Sequence, residues 1–162
     1  VVAKLQTDSL DNEVNALSLP ESCTLSFTYS PHLPGSGSAP DPKLLIILAS
    51  LAQQGNAASW QTNLIYRAGW TLFSEKHYWE AHEAWEQVWM QLKPNSIERT
   101  LLEFLIQVAN RRLKILLGKE SAGDKIQRVI KRLATRLADS HAFAENAMVW
   151  GVSEKLVRQL QA

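Results

Sequence analysis

Cysteine is almost absent from this chain: Cys23 is the only one. One thiol cannot make an internal disulfide, and it excludes a zinc site built from cysteines. That scarcity fits a reducing compartment, so a cytoplasmic location is the expectation. Long hydrophobic runs are missing as well. The longest mostly apolar stretch, Leu44 to Ala52, is too short to span a bilayer. Val1-Val2-Ala3-Lys4 carries no signal-peptide pattern, and no initiator Met opens the chain, which leaves its natural start undetermined. No glycine loop of the phosphate-binding kind is present, and no serine stands in a nucleophile-elbow context. Hydrolase or transferase chemistry therefore has no positive support from a motif of those kinds.

What is present suits one globular domain. The chain has 162 residues, of which 46% are hydrophobic, enough for a sizeable core. Six tryptophans are many for this length, and most lie in or near residues 78–89. Net charge is only +1, yet it is polarised. Residues 1–103 hold 6 basic and 11 acidic side chains, whereas residues 104–162 hold 11 basic and 5 acidic. A basic half attracts nucleic acid or an acidic partner in some proteins. Here its main helix has no aromatic interleaved to stack on bases, so nucleic acid is disfavoured as a partner.

Taken in order, residues 1–40 read as an extended arm rich in proline and glycine toward its end. Leu25, Phe27 and Tyr29 alternate as in a short extended segment. Pro31 to Pro42 is a loop, with prolines and glycines breaking any regular ladder. The helical domain is residues 41–162. Asp41 caps a first helix with Pro42 at its first position, and Gly55 ends it. Ser59 is the expected cap of a helix over Trp60 to Phe73, in which Ile65, Ala68, Gly69, Leu72 and Phe73 make a packing stripe. Gly69 is small enough to let another helix come close. After a turn at 74–77 comes a helix over 78–92, stopped near Pro94. Ser96 opens the next helix, which ends at Gly118 and is apolar over most of its surface. Such a helix belongs at the centre of the domain. Ser121 and Asp124 read as a capping-box variant for a basic amphipathic helix to Ala138. Ser153 caps a short last helix. The pair 60–73 and 78–92 forms a tight antiparallel hairpin, similar in spacing to tetratricopeptide helix pairs, without a second copy that would make an array. The reading is all-α: an irregular bundle of about five to seven helices built on antiparallel hairpins, with an extended N-terminal arm.

The stretch around which this is organised is Tyr78-Trp79-Glu80-Ala81-His82-Glu83-Ala84-Trp85-Glu86-Gln87-Val88-Trp89. At roughly 100° per residue, Tyr78, Ala81, Trp85, Val88, Trp89 and Leu92 share one face. Glu80, Glu83, Ala84, Gln87 and Gln91 fall opposite. His82 and Glu86 lie one turn apart beside the indoles. A carboxylate and an imidazole among indoles are costly unless paired. They form either a satisfied structural pair or a polar site in a half-buried pocket. On the 97–117 helix, Glu103, Gln107, Asn110, Arg111 and Lys114 form one polar stripe that faces either water or that pair. Gln107, among apolar neighbours, is the expected internal partner of His82 and Glu86.

Trp60, Asn63, Tyr66, Gly69 and Leu72, the run Tyr78 to Glu86 with Trp89, then Leu105-Ile106-Gln107, Lys114 and Gly118 together resemble the family catalogued as domain of unknown function 309. Leu33-Pro34-Gly35 followed by Ala39-Pro40 resembles the proline-rich arm of many members, although many have His-Pro where this chain has Ala39-Pro40. The resemblance covers roughly residues 30–137. It implies a small, all-helical, cytoplasmic protein and names no reaction.

The candidate pocket comprises His82, Glu86, Glu83, Trp79, Trp85, Trp89, Gln107 and Lys114. The leading reading is a binding or scaffold module, with a tryptophan-lined groove around a buried His–Glu pair. Its partner would be an unidentified protein or small molecule, and homo-oligomerisation is left open. The alternative is a metal-dependent or acid–base enzyme, hydrolase-like, using His82 and Glu86. The string His-Glu-x-x-Glu is reminiscent of the zincin His-Glu-x-x-His, but it lacks the second histidine, and zinc sites use at least three protein ligands. No metal and no cofactor is therefore expected, and whether the protein is an enzyme stays open.

Overall fold

Four helices in the computed structural model begin where a side-chain oxygen accepts a hydrogen bond from an N–H of the first turn, leaving fewer orphan donors at the helix start. Asp41 accepts from Lys43 N–H, Asn63 from Tyr66, Ser96 from Arg99 and Ser153 from Leu156. The structure describes residues 2–23, 31–36, 39–54 and 59–162, with backbone alone for 2–8. Among them the helices are α1 (Val2–Leu17), α2 (Pro42–Gln53), α3 (Leu64–Ser74), α4 (Tyr78–Gln91), α5 (Ile97–Leu116), α6 (Glu120–Asp139) and α7 (Glu154–Leu160). Single 3₁₀ turns occupy Trp60–Thr62 and Ala144–Asn146. The fold is all-α, and a lone two-residue bridge between Val149 and Val152 is the only extended pairing among the described residues. No described helix is long and apolar enough to cross a membrane.

Helices α3 to α6 are joined by short turns, which make neighbours antiparallel. The chain therefore zigzags, α4 packing on α3, α5 on α4, and α6 on α5. The apolar α5 lies centrally, as expected. Leu101, Leu102, Phe104, Leu105 and Ala109 are wholly buried. At its end, Gly118 takes the left-handed conformation (φ 69°), and Lys119 N–H reaches back to Lys114 O at 2.8 Å. This is the glycine stop read from the sequence.

Several local expectations are corrected. Residues 2–17 are helical and not part of an extended arm. Their stripe of Leu10, Val14 and Leu17 packs against the core and recurs at helical spacing, but polar residues dilute it. Residues 60–62 form their own turn, and α3 starts at Leu64 because Asn63, not Ser59, supplies the cap. Ser121 and Asp124 lie inside α6, whose cap position, Lys119, makes no side-chain capping bond. The proposed segment Leu25, Phe27 and Tyr29, and the stop at Gly55, lie outside the described residues.

Candidate functional site

The orientation of α4 is set by one large side chain in one small gap. Trp85 is fully buried and lies where a Cβ on Gly69 would overlap its indole nitrogen. That nitrogen donates to Tyr66 O of α3 at 3.2 Å. Trp70 and Phe73 close around it, with ring centroids at 5.1 and 5.7 Å. The Tyr66 hydroxyl donates to Trp150 O at 2.8 Å, and complete burial pushes its phenol well above the usual tyrosine range. Burying a tryptophan this completely contributes about 2–3 kcal/mol, and the indole N–H has a partner.

With Trp85 pointed inward, the residues three before and one after it come to the edge of the buried face. His82 Nε2 lies 3.0 Å from Glu86 Oε1, and Nδ1 lies 3.3 Å from Glu83 Oε1. The imidazole is bracketed by two carboxylates of its own helix. Side-chain exposure rises from 17% at His82 to 32% at Glu83 and 44% at Glu86, so the shielded ring lies beneath two carboxylates that reach water. One ligand-type atom from each residue falls within 4.8 Å of the others. Of the pair read from the sequence, His82 is largely shielded and Glu86 reaches water, and Glu83, also a candidate, stands at the other side of the ring.

The remaining expected residues do not converge there. Gln107 is half-buried, and no hydrogen bond joins it to His82 or Glu86 among the described residues. The cluster expected to tie the hairpin to α5 is therefore not formed. Lys114 stands about two turns further along α5 and makes no ion pair with Glu83 or Glu86. The three tryptophans serve three different junctions. Trp85 belongs to the core and not to a groove wall. Trp79 and the His32 ring meet in a T-shaped contact, their centroids 4.7 Å apart. Trp89 lies under the Arg99 guanidinium at 4.0 Å, while Arg99 Nη1 donates to Leu92 O and closes the α4–α5 turn.

Sequence reasoning missed Glu80. Assigned to the solvent side, it is 3% exposed, and its Oε1 accepts from the His32 N–H at 2.7 Å. The available signal was the arm: an N–H in a proline-flanked segment has no helix or ladder to satisfy it and needs an acceptor.

The geometry defines a helix-hairpin protein of consecutive antiparallel pairs, with one outward-facing His–Glu–Glu group on the second helix of the first pair. Residues 66–122 match the model of the family described as Domain of unknown function (DUF309), the one that the motif resembles. The matched span runs from Tyr66 through α4 and α5 into the first turn of α6, so it contains the whole group and the Trp85–Gly69 seat. His32 lies outside it. The family description assigns no activity. Searches of curated proteins and of solved structures gave no match.

Proposed function

We propose that the protein is a binding module whose α4 surface holds a divalent transition-metal ion. The observation that carries this is the bracketed imidazole of His82. In the proposed site Nε2 and the Glu86 carboxylate are the ligands, one turn apart on a single helix. Glu83 Oε1, 3.3 Å from Nδ1, would accept from Nδ1–H once the metal is bound, which would fix the tautomer and make Nε2 a better donor. The imidazole–carboxylate set suits zinc, nickel or copper better than calcium or magnesium, which prefer all-oxygen shells. Two protein ligands are fewer than the three that zinc sites of a single chain use. The expectation of no metal is therefore departed from on the geometry of the bracketed imidazole, and the open positions are filled by water or by donor atoms of a partner. The site is therefore an exchangeable one through which a partner docks, distinct from a closed structural zinc site. Hydrolytic chemistry at a metal-bound water is the second reading, favoured by those same open positions.

The test is zinc titration by calorimetry, together with metal analysis of untagged protein purified without chelator. One equivalent of zinc should bind, and His82→Ala and Glu86→Gln should each abolish binding. Glu83→Gln should weaken it about 10- to 100-fold, as for outer carboxylates on metal-bound histidines. Binding should also weaken as pH falls, because a protonated imidazole cannot ligate. Failure of the wild-type protein to bind zinc, nickel or copper would leave the group as a surface ion-pair cluster and end the proposal. Turnover of an activated ester by the zinc form, lost in His82→Ala, would promote the hydrolytic reading.

A further inference from the structure

A cleft opens where the α3–α4 turn meets the end of α5. A cavity of about 350 Å³ is lined by Lys76 and Tyr78 from the turn and the start of α4, and by Arg111, Arg112, Ile115 and Leu116 from the last turns of α5. Ala162 completes its wall. Three of these side chains are cationic, and none of the three has an acidic partner among the described residues. The Arg111 Nε is buried with no hydrogen-bond partner, which leaves that guanidinium with an unsatisfied donor beneath the cleft it lines. Arg112 is held over the Phe73 ring at 4.9 Å, so its guanidinium is placed by packing. Beside these cations stand two aliphatic side chains that are unusually open, Ile115 at 46% and Leu116 at 52% exposure. The cleft thus offers a positive end with fork-shaped donors, a phenol and an apolar floor.

Lys76 carries a further sign. It stands at the stop of α3, where the chain turns left-handed (φ 63°). His77 N–H returns to Leu72 O and Lys76 N–H to Phe73 O, the bonding pattern that usually has glycine at this position. A lysine there is backbone-strained, whereas the equivalent stop of α5 is Gly118. The strained position places a cation at the cleft wall, and strain of this kind collects at binding sites.

We infer that this cleft binds a small organic anion, a phosphate ester or carboxylate with a short alkyl body. The anionic head lies between Lys76, Arg111 and Arg112, and the tail lies on Ile115 and Leu116. Its volume matches the lower range of small-molecule sites, about 300–1,000 Å³, and guanidinium pairs recognise phosphate and carboxylate by two parallel hydrogen bonds. The inference is independent of the metal site, because Lys76, Arg111 and Arg112 make no ion pair with Glu83 or Glu86 among the described residues.

The experiment is titration of the full chain with hexyl phosphate, hexanoate and inorganic phosphate, followed by calorimetry and by the Nε–H resonances of Arg111 and Arg112. Hexyl phosphate should bind at one saturable site and shift both resonances. It should bind about tenfold tighter than inorganic phosphate, the gain expected from partial burial of the alkyl chain. Lys76→Gly is the decisive variant, since it removes a cation while relieving the backbone. It should weaken binding at least about fivefold with the melting temperature unchanged or raised. Arg111→Gln should weaken it more. The inference is overturned if none of the probes saturates, if inorganic phosphate binds as tightly as hexyl phosphate, or if Lys76→Gly binds like wild type.

Discussion

At the scale of single residues, Gly69 and Trp85 decide where α4 can lie. A methyl group at position 69 would occupy the space of the indole nitrogen and its neighbouring ring carbons. The ring cannot retreat, because Trp70 and Phe73 close around it and its N–H is committed to Tyr66 O. Gly69→Ala should therefore cost roughly 1–3 kcal/mol through overpacking, even though alanine is the better helix former. Urea unfolding measures this. Trp85→Phe in the same background should recover part of the loss, giving a coupling energy that distant sites would not show. The glycine's part in a close helix approach was legible in the sequence, because a lone glycine on an apolar stripe has few other uses. The position of Trp85 was legible only in part. A helical wheel put it on the apolar face, but which neighbour covers that face, core or groove, depends on α3 and its small residue. His82 and Glu86 were placed together by their spacing of four. Glu83, adjacent in sequence, was included in the candidate pocket although the helical wheel put it on the opposite side, and the side-chain directions bring it to Nδ1.

At the scale of elements, the caps and stops explain most of what could be read and most of what could not. Asp41, Ser96, Gly118 and Ser153 were identified because each combines a capping residue type with a clear change of pattern. Ser59 and Ser121 were misassigned because a nearby alternative won: Asn63 satisfies Tyr66 N–H directly, and α6 begins one residue before Ser121. Residues 31–36 dock on α4. Their anchor is the buried Glu80, through one bond to the His32 backbone beside the His32–Trp79 edge contact. Glu80→Ala should free this segment, leaving a half-buried N–H unpaired at about 1–3 kcal/mol. Glu80→Gln keeps an acceptor oxygen and should cost less. Hydrogen exchange at His32 reads the difference: faster in Glu80→Ala than in Glu80→Gln, with the α4 amides in the middle of the helix unchanged. Equal exchange in the two variants would show that the ring contact, not the carboxylate, holds the arm.

At the scale of the whole molecule, the two ends of the described chain close on each other, and this was the least legible feature. Nothing in the polar N-terminal residues announces a helix with a long-range role, because the information lies in what Val14 and Leu17 meet. Leu17 and Trp60 close over Gly151. Beyond the helix, Leu19 N–H donates to Thr71 Oγ1, and Arg67 Nε donates to Ser18 O, fastening α1 to α3. Glu13 accepts from Ser153 Oγ at 2.9 Å, and Lys155 reaches Glu13 and Ser9, fastening α1 to the start of α7. The polar links are partly exposed, and pairs of that kind contribute little each. The apolar seat should therefore carry the closure. Leu17→Ala should cost about 2–4 kcal/mol, while Lys155→Ala should cost less than ~1 kcal/mol. If α1 is integral to the fold, Leu17→Ala should lower one cooperative transition seen by both tryptophan fluorescence and helix signal. An early, separate loss of helix signal, with tryptophan fluorescence held to the wild-type midpoint, would make α1 a detachable element. The α3–α6 core, with the proposed metal site on it, would then stand without that closure.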